Sequence, residues 1–111
     1  GEQQDTERVR RVALQEDGDT AEAMLLLGQA LCRSGDVRGA VDILKKLLSS
    51  RTAGTEQLLA GMFHLAEAYE AAGNTKSAYK IYKRVVDQRS DFGDGAARNR
   101  ALALESELGI N

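Results

Sequence analysis

The feature that most constrains this chain is a repeat within it. Met24, Leu27, Gly28 and Leu31 stand at i, i+3, i+4 and i+7, the spacing that lines residues along one side of a helix. Met62, Leu65, Ala66 and Tyr69 restate that stripe 38 residues later. Seven residues after each small residue comes a glycine, Gly35 or Gly73, and five further on a small residue again, Ala40 or Ala78. Ile43, Leu44 and Leu47 are then answered by Ile81, Tyr82 and Val85. The two units match without a gap over about thirty residues. Each reads as helix, tight turn, helix. Such a unit buries its stripes only by stacking against the next.

The punctuation agrees. Asp5 or Thr6 is placed to cap a first helix running to about Glu16, which Asp17-Gly18-Asp19 breaks. Asp19 lies three residues before Glu22, the spacing of a capping box, and predicts a second helix to about Arg33. Asp36 is expected to cap a third helix ending near Ser50, and Thr55 a longer fourth to about Ala72. After Gly73-Asn74 a fifth runs to about Arg89, and Asp91-Phe92-Gly93-Asp94 precedes a sixth ending at about Leu108. The chain has no Pro and is rich in Ala, Leu, Glu, Lys and Arg, which favours helix throughout. At 111 residues and 42% apolar it suits one compact unit. Its longest apolar runs are only a few residues, such as Met24–Leu27, so no membrane span is expected. No charged start leads into an apolar stretch, so no signal peptide is expected either. Cys32, alone, cannot form an internal disulfide and favours a reducing, cytoplasmic setting.

These residues resemble the tetratricopeptide-repeat family. Its pattern wants a large residue, then Leu-Gly, then an aromatic; Met24, Leu27-Gly28 and Leu31 fit, as do Met62, Leu65-Ala66 and Tyr69. Ala40 and Ala78 meet the small position early in the second helix, and Leu44 and Tyr82 the bulky one after it. Leu47 and Val85 depart where the family prefers a small residue, and Thr52 and Ser90 stand where it usually has proline. The 38-residue spacing exceeds the family period of about 34, which predicts one added turn at the Arg51–Leu58 junction. The resemblance implies an all-α, right-handed superhelical array of antiparallel helix pairs, about six helices in all. Residues 1–18 would be a degenerate half-repeat, 19–54 and 55–92 full repeats, and 93–111 a capping helix. In that last helix Ala97, Ala101, Leu104 and Leu108 form the inward stripe, with Arg98, Arg100, Glu105 and Glu107 off it.

Catalysis is not expected. His64 is the only histidine and has no second ligand nearby in sequence, so neither a metal site nor a Ser-His pair is legible, and it reads as structural. Cys32 lacks a resolving cysteine, and Glu67 and Glu70 at i, i+3 read as a solvated face. The glycines stand singly at turns, so no phosphate cradle and no cofactor are expected. Lys+Arg 15 against Asp+Glu 17 lacks the basic excess of nucleic-acid modules.

What the family resemblance implies instead is a concave groove lined by the first helices of successive repeats. By helix phase its positions are Glu22, Leu25, Gln29, Cys32 and Arg33, then Ala60, Phe63, Glu67, Glu70 and Ala71. Leu25 and Phe63 would be apolar residues off the core stripe; Phe63 is an anchor for a partner, packs beneath the first helices, or is covered by a further repeat. Glu22, Glu67 and Glu70 would make the groove mildly acidic, while Arg38, Lys45, Lys46, Lys76, Lys80, Lys83 and Arg84 make the second helices a basic outer wall. The expected partner is a protein or peptide, a neutral-to-basic amphipathic segment. Chaperone-tail binders of this family use Lys, Arg and Asn where this chain has Leu25, Gln29, His64 and Glu67, so that ligand is not expected. The alternative is a structural segment that stacks with further repeats or copies of itself. A regulatory piece of a larger enzyme is a third reading.

Overall fold

The computed structural model describes residues 20–110. The expected first helix and the Asp17–Asp19 break with its capping box lie outside the described residues. Five α-helices follow: α1 Thr20–Ser34, α2 Val37–Leu48, α3 Thr55–Ala71, α4 Thr75–Gln88 and α5 Ala96–Leu108, with a 3-10 turn at Phe92–Gly95. α1 packs on α2 and α3 on α4; α2 also packs on α3, α4 on α5, and α1 on α3. This is a stack of helix pairs with the first helices of the two repeats side by side. Among the described residues no helix is long and apolar enough to cross a membrane.

The two tight turns are built alike. Gly35 and Gly73 take φ of +88° and +83°, the left-handed backbone that glycine adopts without a Cβ penalty. The Gly35 N–H then donates to Cys32 O (3.2 Å) and the Asp36 N–H to Leu31 O (2.9 Å); Gly73 and Asn74 donate likewise to Glu70 O (3.0 Å) and Tyr69 O (2.9 Å). These paired bonds satisfy carbonyls that a helix end otherwise leaves open. The next helix starts on the same residue, since Asp36 Oδ1 accepts from the Gly39 N–H (3.0 Å) and Asn74 Oδ1 from the Ser77 N–H (3.3 Å). One helix is closed and the next opened within two residues, which forces each pair to fold back on itself.

The link between repeats differs from expectation. Gly54, not Thr55, is the N-cap of α3, and Thr55 is already helical. A glycine offers no capping oxygen, so Gln57 reaches back: its Oε1 accepts from the Gly54 N–H at 2.9 Å. Its Nε2 donates to Glu22 Oε2 on α1 at 3.1 Å. One side chain thereby fixes the start of α3 and ties it to α1. At 17 residues α3 is the longest of the five, its first turn lying in the segment where the extra residues are expected.

Two apolar clusters form the interior. Met24, Leu27, Leu31, Ala40, Leu44 and Leu47 make the first together with Leu65 and Ala68 of α3. Met62, Ala66, Ala78, Tyr82 and Val85 make the second together with Ala97, Ala101 and Leu104 of α5. Leu48, Tyr69 and Ile81 pack against both. Ala40, Leu44, Leu47, Ala66, Ala78, Tyr82 and Val85 are wholly buried, so both departures from the family pattern, Leu47 and Val85, are core residues. Room for Leu47 comes from the next helix: a Cβ on Gly61 would stand 2.7 Å from Leu47 Cδ2. Val85 shares its cluster with the small Ala97 and Ala101.

This compensation has a measurable signature. Gly61→Leu should cost roughly 1–3 kcal/mol by overpacking, and Leu47→Ala roughly 2–5 kcal/mol by leaving a void. The double variant should lose less than the sum by at least about 0.5 kcal/mol, because the new leucine enters the vacated space. Urea unfolding of the four proteins reads this out, and strict additivity would mean the residues do not share that volume.

Candidate partner-binding site

Because α1 and α3 lie side by side, the faces they turn away from α2 and α4 enclose an open hollow of about 470 Å³. Gln29, Cys32 and Arg33 of α1 line it, with Val37 at the start of α2 and His64, Glu67, Ala68 and Ala71 of α3. A chain of hydrogen bonds crosses its floor. The Gln29 amide donates to His64 Nε2 at 3.0 Å, and the Nδ1–H of His64 donates to Glu67 Oε1 at 2.6 Å. Gln29 thereby selects the tautomer that carries its proton towards Glu67. Val37, Ala68 and Ala71 add apolar atoms to the lining, Ala68 from within the core.

Helix phase thus brings Gln29, Cys32, Arg33, Glu67 and Ala71 together around one space. It does not do so for the others. Leu25 is 8% exposed and belongs to the first core cluster, so its side chain is turned inward. Ala60 packs, partly buried, against the same cluster. Glu22 is held by Gln57. Phe63 is half-buried, its ring within 5.5–5.7 Å of the rings of His64, Tyr82 and Phe92. Glu70 accepts from the Tyr82 hydroxyl at 2.9 Å and is ion-paired with Arg100 of α5. His64 stands at the centre of the hollow, although its place beside the core stripe reads as structural in the sequence. The signal available there is its spacing from Glu67, the i, i+3 step that puts two side chains on one helix face. Val37 carries no such signal; only the turn geometry brings it to the rim.

Charge on this side is more balanced than the carboxylates alone suggest. Arg100 neutralises Glu70, and Arg33 adds a cation to the hollow. Glu67 keeps an exposed carboxylate with one oxygen engaged by His64. The Tyr82 hydroxyl is pushed well above its ordinary range, by burial first and by the Glu67 charge second, so it stays a proton donor to Glu70. Among the described residues no cluster of ligands able to hold a metal is present.

Cys32 lies half-buried in the hollow, its thiol donating weakly to the His64 carbonyl at 3.8 Å. Burial, and then the Glu67 carboxylate, push its pKa up from the ordinary value. A raised pKa leaves less thiolate at any given pH. Iodoacetamide should therefore label Cys32 more slowly than free cysteine at pH 8, with a rate still rising above pH 9. Glu67→Gln, which removes the second cause, should speed labelling. A rate equal to that of the free amino acid would contradict this placement of the thiol.

Comparison with known proteins accords with this architecture. A model of the tetratricopeptide repeat matches residues 22–51 and again 60–91. Lipopolysaccharide assembly protein B of Escherichia coli strain K12 is 35% identical over 83 residues, which is 75% of this chain and 21% of that protein. The protein of the same name from Escherichia coli O157:H7 gives the same figures. The chain spans about a fifth of the length of the curated relatives it matches. No solved structure matches it. With both repeats matched at the places where the helix pairs stand, the chain belongs to the tetratricopeptide-repeat family of protein-interaction scaffolds.

Proposed function

We propose that the chain is a non-catalytic protein-binding module that seats a segment of a partner in the hollow between α1 and α3. The observation that carries the reading is the Gln29–His64–Glu67 line, which crosses from one repeat to the other in a lining shared with Val37 and Ala71. The open oxygen of Glu67 calls for an N–H donor or a cation on the partner. Val37 and Ala71 call for a small or medium apolar side chain next to it. A neutral-to-basic amphipathic segment meets both demands, and Arg33 at the rim disfavours one crowded with cations. Phe63 contributes from beneath, holding the His64 ring edge-on. The likeness to a protein named for lipopolysaccharide assembly supports the reading coarsely, since an assembly process needs modules that hold proteins together.

A second reading, stacking with further repeats or copies of this chain, draws on a separate observation. Leu102 and Ile110 are 52% and 42% exposed at the last helix and just beyond it, outside the inward stripe of Ala97, Ala101 and Leu104. An apolar spot at the end of an array is where another repeat would continue it.

Peptides selected from a random display library against the wild-type chain separate the two readings. Such peptides should bind Glu67→Lys at least about tenfold more weakly, a loss of about 1.4 kcal/mol, while the thermal midpoint of this exposed-site variant stays close to wild type. Alkylating Cys32 with a bulky maleimide should block the same peptides. Selected peptides indifferent to both changes would remove the hollow as the binding site. A Leu102→Glu variant that abolishes self-association in light scattering would favour stacking.

A further inference from the structure

A second concavity lies on another face of the molecule. α2 and α4 both rest against α3, and between them runs a furrow of about 320 Å³. Leu58, Met62 and Leu65 of α3 floor it, Leu48 of α2 and Ile81 of α4 wall it, and Arg84 of α4 stands over it. The three floor residues recur at i, i+4 and i+7, a different face of α3 from the one that turns His64 and Glu67 into the hollow. Tyr69 extends that stripe by another turn, and Lys45 Nζ lies 6.0 Å from the centre of its ring. Leu48, Leu58 and Ile81 are only partly buried, so the furrow offers apolar surface to solvent.

Arg84 is the cation in its lining, and the two helices that wall it are rich in Lys and Arg. Arg84 and Lys80 on α4 and Lys45 on α2 are exposed, and among the described residues none of the three is ion-paired. α2 and α4 together carry Arg38, Lys45, Lys46, Lys76, Lys80, Lys83 and Arg84 against only Asp42 and Asp87. Outside α2 and α4, by contrast, residues 20–110 carry nine carboxylates against five arginines. A carboxylate-rich partner is therefore drawn to this side and repelled elsewhere. The shape narrows the class of partner. A furrow of this volume accepts one or two leucine-sized side chains, which a flat lipid surface does not supply. Among the described residues its lining holds no aromatic side chain on which a base would stack.

We propose that this furrow binds a second protein segment, an acidic amphipathic helix whose apolar stripe seats on Leu48, Leu58 and Ile81 and whose carboxylates meet Arg84, Lys80 and Lys45. The chain would then hold two partners on separate faces, the hollow taking a neutral-to-basic segment and the furrow an acidic one.

The test uses a synthetic helical peptide with a leucine stripe flanked by glutamates, titrated into the full chain and followed by methyl NMR and fluorescence anisotropy. The expected result is shifts at the methyls of Leu48, Leu58 and Ile81 and an affinity that falls as salt is added. The double variant Arg84→Glu with Lys80→Glu should bind about tenfold more weakly or worse. Arg84→Gln with Lys80→Gln should show a smaller loss, which guards against a fold defect from charge reversal. A control peptide with lysine in place of glutamate should bind at least about tenfold more weakly. The proposal is overturned by absence of binding at millimolar peptide, by equal binding of the two peptides, or by shifts at Val37 and Ala68 instead. Displacement of the peptide by phosphatidylglycerol vesicles or duplex DNA would assign the face to a different class of partner. The same methyl shifts appearing with chain concentration alone would assign it to a second copy.

Discussion

Close approach of helices is the constraint on which the rest of this structure depends. A Cβ added to Gly28 would stand 2.4 Å from Leu44 Cδ2 and 2.7 Å from its Cγ, and Leu44 is wholly buried. α1 and α2 therefore pack at a distance that only a hydrogen at position 28 permits. The corresponding pair in the next repeat is Ala66 with Tyr82, both fully buried in one cluster. Gly61 does for the contact between repeats what Gly28 does within one. Dispersion falls off steeply with separation, so a gap of even half an ångström along these seams would forfeit much of the contact energy. Large residues fill the interior because small ones stand opposite them.

The hollow between α1 and α3 follows from that spacing. α1 and α3 are held near enough for the Gln29 amide to meet the His64 ring across the repeat boundary, and Gln57 locks the same pair of helices at the other end through Glu22. Glu70, Tyr82 and Arg100 repeat the device between α3, α4 and α5. Polar side chains thus decorate seams that apolar contacts have set. Among the described residues no buried side-chain nitrogen or oxygen lacks a hydrogen-bond partner, so these bridges add register without leaving an unsatisfied group behind.

Much of the fold was legible because the repeat is written in residue size. Period, turn glycines and the Asp36 cap each have a local cause, and each is found where it was expected. The cap of α3 was not legible. Thr55 is a better capping residue than Gly54 in isolation, but Gln57 engages the Gly54 N–H and also reaches α1, a tertiary contact that local spacing does not encode. The site divides along the same line. Gln29, Cys32, Arg33 and Glu67 follow from helix phase alone. Leu25 and Phe63 do not, because an apolar residue off the main stripe is free or covered according to what packs across from it: Leu25 joins the core, and Phe63 meets Tyr82 and Phe92. His64 reads as structural in the sequence, and its hydrogen bond to Gln29, 35 residues away, is a contact that local spacing does not show.

The unfolding free energy of Gly28→Ala, measured in urea, bears on the close packing of the repeat more sharply than any other quantity. In an open helix position the change stabilises by about 1 kcal/mol, because alanine is the better helix former. Against the buried Leu44 side chain the added methyl should overpack and cost roughly 1–3 kcal/mol, so the net result should be destabilisation. Shortening the opposing side chain, in Gly28→Ala with Leu44→Ala, should make the alanine at position 28 favourable again relative to Leu44→Ala alone. A Gly28→Ala chain more stable than wild type would mean that α1 and α2 are not in this contact, and the register of the whole array would have to be redrawn.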